Sequence, residues 1–303
     1  MNETDARKSL DAQEVKRIAR ELGADLAGVA SAEDFAEAEP GCRPRDLFPM
    51  ANSVIVIAKR IPFAAATPYP SIGAMEFGEY IPENFLNEAC YRLSLHLEDA
   101  GWLSGATPSG RDITNFRVEE DGPEPRVFLR GSFDLRLAAV KAGLGHIGAN
   151  NCLITPQYGS RVRLGAVLTE ANLAPDPPNR YGAIPEFCRE CGFRCVEACP
   201  ANALPGDGTV DHYRCMVIRP DLVAPEKALA HFRKLFRGKP MIMAAKGLSY
   251  TDSPPHPCSA CIALCPMDQG RDFADAPFHR ESWSDEDARK VIDPALLENP
   301  QDG

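Results

Sequence analysis

Two runs of cysteine carry the chemistry that can be read from residue type and spacing. The first is Cys188, Cys191, Cys195 and Cys199, with Pro200 following; the second is Cys258, Cys261 and Cys265, with Pro266 following. Thiolates this closely spaced wrap a metal group, and where a run closes on Cys-Pro the last thiolate reaches across to the other cluster. By that rule Cys188, Cys191, Cys195 and Cys265 hold one [4Fe-4S] cube, while Cys199, Cys258 and Cys261 hold a second. One ligand is then missing, because a regular second run would open at Pro255; Cys215, the only cysteine between the runs, is expected to supply it. Three residues rather than two separate Cys191 from Cys195, and Gly192 lets that loop absorb the extra one. Cys-x2-Cys is also zinc spacing, so two four-thiolate zinc sites are the competing reading. The crossed Cys-Pro ends favour iron-sulfur, and two neighbouring cubes conduct electrons. Nothing within the cysteine-rich segment is a substrate site.

The elements that must position these ligands are legible in part. Asp11 and Glu14 have capping-box spacing, Val15, Ile18, Ala19 and Leu22 recur at helical intervals, and Gly23 supplies the stop. Leu86, Ala89, Cys90, Leu93 and Leu97 line a second helix closed by Gly101, in which Cys90 is a buried structural thiol. Leu137, Val140, Ala142 and Leu144 mark a third helix. Ser53 to Ala58 and Arg161 to Thr169 read as strands, with Arg126 to Leu129 a weaker candidate. The proline-rich stretch from Ala174 to Pro178 separates a first domain, residues 1–174, from a cysteine-rich second one, 175–303, which contains a helix over Ala228 to Phe236. The opening residues are polar and no 18-residue apolar run occurs, so a cytoplasmic protein without a membrane span is expected, and its cysteines are metal ligands rather than disulfides. Lys plus Arg total 33 against 43 Asp plus Glu, a formal charge of -10. That balance argues against a nucleic acid as main partner.

Within the first domain lies Gly143-Leu-Gly-His-Ile-Gly148. Its glycines let backbone approach a flat ligand, and the same spacing also suits a helix that ends in a turn. No strand feeds into it, so it is not a dinucleotide fingerprint. With Glu21 to Val29, Ser53 to Val56, Thr155-Pro-Gln-Tyr-Gly159, Tyr213-Arg-Cys215 and both cysteine runs in that order, the chain from about Val15 to Pro266 resembles the epoxyqueuosine reductases and the cobalamin-dependent reductive dehalogenases.

The resemblance implies an α+β fold: a nitroreductase-like N-terminal domain that holds base-off cobalamin against a ferredoxin-like two-[4Fe-4S] domain. It places Gly143, Gly145, His146, Gly148, Asn150, Tyr158, Gly159 and Arg161 around the corrin. Three departures bear on the reaction. The acidic proton donor of epoxyqueuosine reductases would fall at Leu129 or Arg130, neither an acid; His146 stands where that family usually has Trp; and only 37 residues follow Pro266, too few for the helical-repeat extension of some tRNA-acting members. Tyr80, Asp134 and His146 are the candidate proton donors in their place, although a lone His or a half-buried Tyr is as readily structural. The expected function is cobalamin-dependent reduction of a small molecule at a carbon-heteroatom or carbon-halogen bond, fed by a low-potential donor such as ferredoxin or flavodoxin, with tRNA not expected as a partner. A cofactor-free electron carrier and an epoxyqueuosine reductase are the alternatives.

Overall fold

The computed structural model describes residues 7, 9–66, 76–109, 115–119, 126–199, 202–211, 215, 260–263 and 265–267. The opening helix forms as α1 (Ala12–Glu21), ended by Gly23 at φ +105°. Asp11 occupies the N-cap but makes no side-chain cap bond, and Glu14 pairs instead with Arg17 on the exposed face. β1 (Leu26–Ser31) follows at once. Its Leu-Ala-Gly-Val-Ala-Ser sequence has little strand preference; pairing from Leu26↔Ala58 to Ser31↔Ser53 holds it extended. After the short α2 (Pro44–Leu47) comes β2 (Ser53–Arg60), and a π-helical turn, Glu76–Tyr80, then leads into α3 (Ile81–Asp99).

The chain continues through β3 (Ser104–Thr107), the hairpin β4 (Asn115–Glu119) and β5 (Arg126–Arg130), and α4 (Leu135–Lys141). The small hairpin β6 (His146–Ile147) and β7 (Leu153–Ile154) precedes β8 (Val162–Thr169). α5 (Glu186–Glu190), α6 (Arg194–Glu197) and α7 (Ala260–Ala263) carry cysteines. The main sheet is antiparallel with order β1-β2-β8-β3. β2 is buried on both faces because side chains alternate along a strand. Ile55 and Ile57 meet Val15 and Ala19 of α1 and Leu86, Leu93 and Leu97 of α3, whereas Val54, Val56 and Ala58 meet Leu137, Ala138 and Val140 of α4. The result is a mixed α/β fold with helices on both faces of an antiparallel sheet. Cys90 is fully buried among the α3 contacts, and burial pushes its thiol up to about 12, as suits a structural residue. No helix among the described residues is long and apolar enough to cross a membrane. The expected Ala228 to Phe236 helix lies outside the described residues.

The proline-rich stretch is strapped across the first unit. Asp176 N donates to Val29 O at 2.8 Å and Asp176 Oδ2 accepts from Val29 N at 2.9 Å. Its Oδ1 accepts from Lys16 Nζ at 2.6 Å, and Lys16 is only 5% exposed. Removing one partner of such a pair leaves a charge without compensation in a low-dielectric setting. Asp176→Ala should therefore lower the unfolding free energy by about 2 kcal/mol, read from the urea midpoint at unchanged slope. A midpoint identical to wild type would show that the strap is held by its backbone bonds alone.

Candidate metal centre

Cys188 sits in α5, Cys191 caps its C-terminal end and Cys195 sits in α6. Between them the chain turns on two successive left-handed residues, Gly192 at φ +69° and Phe193 at φ +57°. This absorbs the extra residue of the run at the cost of placing a bulky side chain in a conformation that usually belongs to glycine. Phe193 offsets that cost by packing against Ala149, Ile154, Cys188 and Cys195. From the second run, Cys265 enters the same place. A small cavity is lined by Cys188, Cys191, Cys195 and Cys265, with Phe187, Phe193 and Ile154 among its apolar walls.

These are the four residues expected around one cube. Burial raises the Cys188 thiol, with the charges of Cys191 and Cys265 adding to the rise and an Ala149 backbone hydrogen bond opposing it. Burial pushes Cys195 to about 12 and raises Cys265 as well. Among the described residues no three His, Cys, Asp or Glu side chains converge as a single-ion site. Four sulfurs spread around a cavity suit a polynuclear cluster, whose positive irons would offset the burial that disfavours thiolate at Cys188, Cys195 and Cys265.

The second set is described in part. Cys199 and Cys261 pack against the buried group Ala203, Leu204 and Val210, and Cys199 Sγ accepts from Ala203 N at 3.2 Å. Cys215 is exposed and donates its N–H to Asp211 O. Cys258 lies outside the described residues.

The stretch that follows the Gly-rich segment, from Asn150 to Ser160, is the seat of the second run. Asn150, 4% exposed, donates from Nδ2 to Cys261 O at 3.2 Å and accepts from Cys152 N through Oδ1 at 3.2 Å. Ser160 Oγ donates to Ile262 O at 3.3 Å. Gly159, at φ +56°, lies so close to Met267 O that a Cβ would overlap it, and a Cβ on Gly145 would overlap Ile154 O across the β6–β7 hairpin. Gly148 backs onto Ile154, and Gly143 faces Pro177 O at 2.6 Å from its would-be Cβ. The side-chain space at all four glycines is thus taken by the chain itself.

Of the other residues expected around a corrin, Arg161 is buried with its guanidinium 5.3 Å from the Phe63 ring, and Tyr158 is half-buried beneath Arg60 at 5.9 Å. His146 is half-buried in β6, opposite Ile154. None of the candidate proton donors lines the cysteine cavity. Tyr80 ends the π-helical turn, which Arg163 of β8 ties down through Gly78 O at 3.1 Å. Asp134 is the N-cap of α4, its Oδ1 accepting from Arg136 N at 3.0 Å and Leu137 N at 3.1 Å.

Cys152 was not anticipated. It belongs to neither run, yet its thiol is drawn down to about 7, first by a hydrogen bond with Cys261, against burial, and then by the charges of Arg163 and Arg136. Its position within Gly148-Ala-Asn-Asn-Cys152 was the available signal, since that is turn chemistry beside a motif already singled out.

No protein-family model matches the chain. It is similar to a tetrachloroethene reductive dehalogenase of Desulfitobacterium hafniense, 27% identical over 279 residues, which are 91% of this chain and 41% of that protein. It is also similar to an epoxyqueuosine reductase of Gloeobacter violaceus, 30% identical over 227 residues, 68% of this chain and 64% of that protein. The chain thus spans 41% of the length of the dehalogenase. Two solved structures share the fold. A catabolic reductive dehalogenase in complex with 3-bromo-4-hydroxybenzoic acid has TM-score 0.54 at 15% identity, covering 94% of this chain and 36% of that one. An epoxyqueuosine reductase with an epoxyqueuosine-modified tRNA-Tyr stem loop has TM-score 0.51 at 21% identity, covering 88% and 67%.

The last structure corrects the expectation against tRNA as a partner. Net charge belongs to the whole chain, whereas phosphate recognition needs only a local basic patch, so a formal charge of -10 does not bar a nucleic-acid partner in a fold that holds a stem loop elsewhere.

If Gly159 seats Cys265, Gly159→Ala must part the loop from Met267. In metal-free protein the alkylation rate of Cys265, followed by mass spectrometry, should rise about tenfold or more as that contact opens locally, while circular dichroism from the main sheet stays unchanged. An unaltered rate would mean that another contact holds the segment.

Proposed function

Since this chain belongs to the superfamily of epoxyqueuosine reductases and reductive dehalogenases, we propose that it is an iron-sulfur reductase acting on a carbon-heteroatom bond. The observation that carries this reading is the cavity where Cys188, Cys191 and Cys195 meet Cys265 from a distant run. Those four residues would hold one [4Fe-4S] cube, and Cys199, Cys215, Cys258 and Cys261 the other. Such clusters, when bound, pass single electrons at potentials set by charge and hydrogen bonding. The chain's own part is to hold the two sulfur sets side by side: Val196 and Cys261 pack against the buried groups of both. Phe187, Phe193 and Ile154 line the first set with apolar surface, which limits water.

Cobalamin is the proposed second cofactor, on the resemblance and on the presence of a separate α/β unit beside the cysteines. The described glycines do not form the open cradle expected for a corrin, because the chain fills their side-chain space. His146 and Tyr158 keep part of their surface exposed in that region.

For the substrate, similarity over 91% of the chain to a tetrachloroethene reductive dehalogenase favours a carbon-halogen bond in a small molecule. A second reading, reduction of epoxyqueuosine in tRNA, is favoured by the 30% identity to an epoxyqueuosine reductase. Reconstituted enzyme given a chemical reductant, with and without cobalamin, should convert either halogenated alkenes and phenols or an epoxyqueuosine-containing stem loop. Turnover of neither, with both clusters present, would leave the electron-carrier alternative.

Two variants test the ligand sets. Anaerobic reconstitution should give close to two cubes per chain, with Cys265→Ser and Cys215→Ser each losing a different one by iron content and paramagnetic resonance. Full iron in either variant would remove that residue from the set. Because Cys188, Cys195 and Cys265 have raised pKa values, protons compete with iron for them at neutral pH. Cluster uptake should therefore weaken as pH falls from 9 to 7, and a flat profile would show that thiol deprotonation does not limit assembly.

A further inference from the structure

We infer that the outward face of α3 is the surface on which two copies of this chain pair, antiparallel across a two-fold axis at the level of residue 90. The surface lies apart from the cysteine cavity, and nothing in the proposed reaction depends on it.

α3 lays one face on the main sheet, where Leu86, Leu93 and Leu97 are fully buried. The opposite face of such a helix is expected to be polar. Here it carries Ile81, Phe85, Tyr91 and Leu95, with Phe85 51% and Tyr91 61% exposed. Helical spacing gathers these residues on one side of the helix. Scattered apolar residues are ordinary on a surface, whereas a row of them along one element marks a contact site. Lys59 Nζ, 5.5 Å from the centre of the Phe85 ring, steadies that side chain, so a partner meets a surface already ordered. The row is interrupted in its middle by Glu88 and Arg92, which pair with each other at 2.6 Å.

The order of these residues decides what covers the face. When two α3 helices run antiparallel about an axis at residue 90, each position meets the one equally far beyond it. Glu88 of one copy then faces Arg92 of the other, and Arg92 faces Glu88. Phe85 faces Leu95 twice over, with Ile81 and Tyr91 a turn to either side of that contact. A two-fold interface requires a surface complementary to itself, and both the charges and the apolar groups of this face satisfy that requirement. A parallel pair in register would instead set Glu88 on Glu88 and Arg92 on Arg92, where like charges oppose association. The Glu88 and Arg92 pair contributes little while it faces water. Between two copies it becomes a four-charge group flanked by apolar contacts, which fixes the register of the pairing.

The test is sedimentation of the full, anaerobically reconstituted chain under reductant, so that no disulfide joins two copies. The wild type should form a reversible dimer. Glu88→Arg and Arg92→Glu each place like charges across the axis, and each should raise the dimer dissociation constant at least about tenfold with unchanged circular dichroism. Mixed in equal amounts, the two variants should pair again to within about threefold of wild type, because every positive side chain of one then meets a negative one of the other. Leu95→Ser, which removes apolar surface and leaves the charges alone, should weaken the dimer as well. A wild type that stays monomeric at every concentration would overturn the inference and leave this face to the chain's own remaining residues or to a different protein. A dimer that survives both charge reversals would place the interface elsewhere, and variants that stay apart when mixed would overturn the antiparallel register.

Discussion

The metal centre depends on one close approach of backbone to backbone. Cys265 can face Cys188, Cys191 and Cys195 only because Met267 lies against Gly159, where no side chain fits. Asn150 and Ser160 set the register of that approach by bonding the carbonyls of Cys261 and Ile262. Each bond is worth only about 1 kcal/mol net, so no single one secures the segment. Their joint effect is steric and directional. The glycine permits the close contact, and two part-buried hydrogen bonds oppose sliding.

The seat is itself rigid because of what lies beneath it. Thr155 closes the loop below by exchanging backbone bonds with Gly159 at 2.9 Å in both directions. The chain then enters β8, which is flanked by β2 and β3 and is central to the sheet. The Pro-rich strap leads out of that unit and into α5 under the control of Asp176 and Asn179, the latter donating to Gly145 O at 3.1 Å. Both approaches to the cysteine cavity, the loop from above and the strap from behind, are therefore anchored in the same apolar core. A perturbation of that core would reach the ligands through these two paths.

The legible parts of the sequence were those where one local pattern decides the outcome. α1, α3, β2 and β8 follow their apolar periodicity, and Gly23 and Gly101 end the helices where expected, at φ +105° and +88°. The grouping of three first-run cysteines with Cys265 was inferred from the Cys-Pro rule, and the structure brings those four to one cavity. β1 was missed because its extended form comes from pairing with β2 and not from its own composition. The β6–β7 hairpin was missed because two-residue strands leave no periodicity. Gly145, Gly148 and Gly159 are placed around a corrin by the resemblance and not by their spacing, and the nearest atoms to their missing side chains belong to the chain itself, which no sequence pattern reveals. Asp134 was a proton-donor candidate by type and proximity, and its position at a helix start gives it a capping role.

Charge and burial at the cysteines link folding to cofactor binding. Cys195 is buried in a cavity that three other cysteines line, and burial pushes its thiol up to about 12, so the surroundings disfavour its charged form. A cluster held by these four residues would replace their protons with iron-sulfur bonds from the first run to Cys265, so its binding free energy would also be free energy of association between the two runs. The apolar walls then have two effects: they disfavour a charged, metal-free site, and they keep water from a bound cluster. The same burial that disfavours charge at Cys188, Cys195 and Cys265 would therefore favour occupancy by a group whose charge is spread over many atoms, and this is the physical reason that four cysteines lining one cavity, two of them buried and two half-buried, suit a polynuclear cofactor.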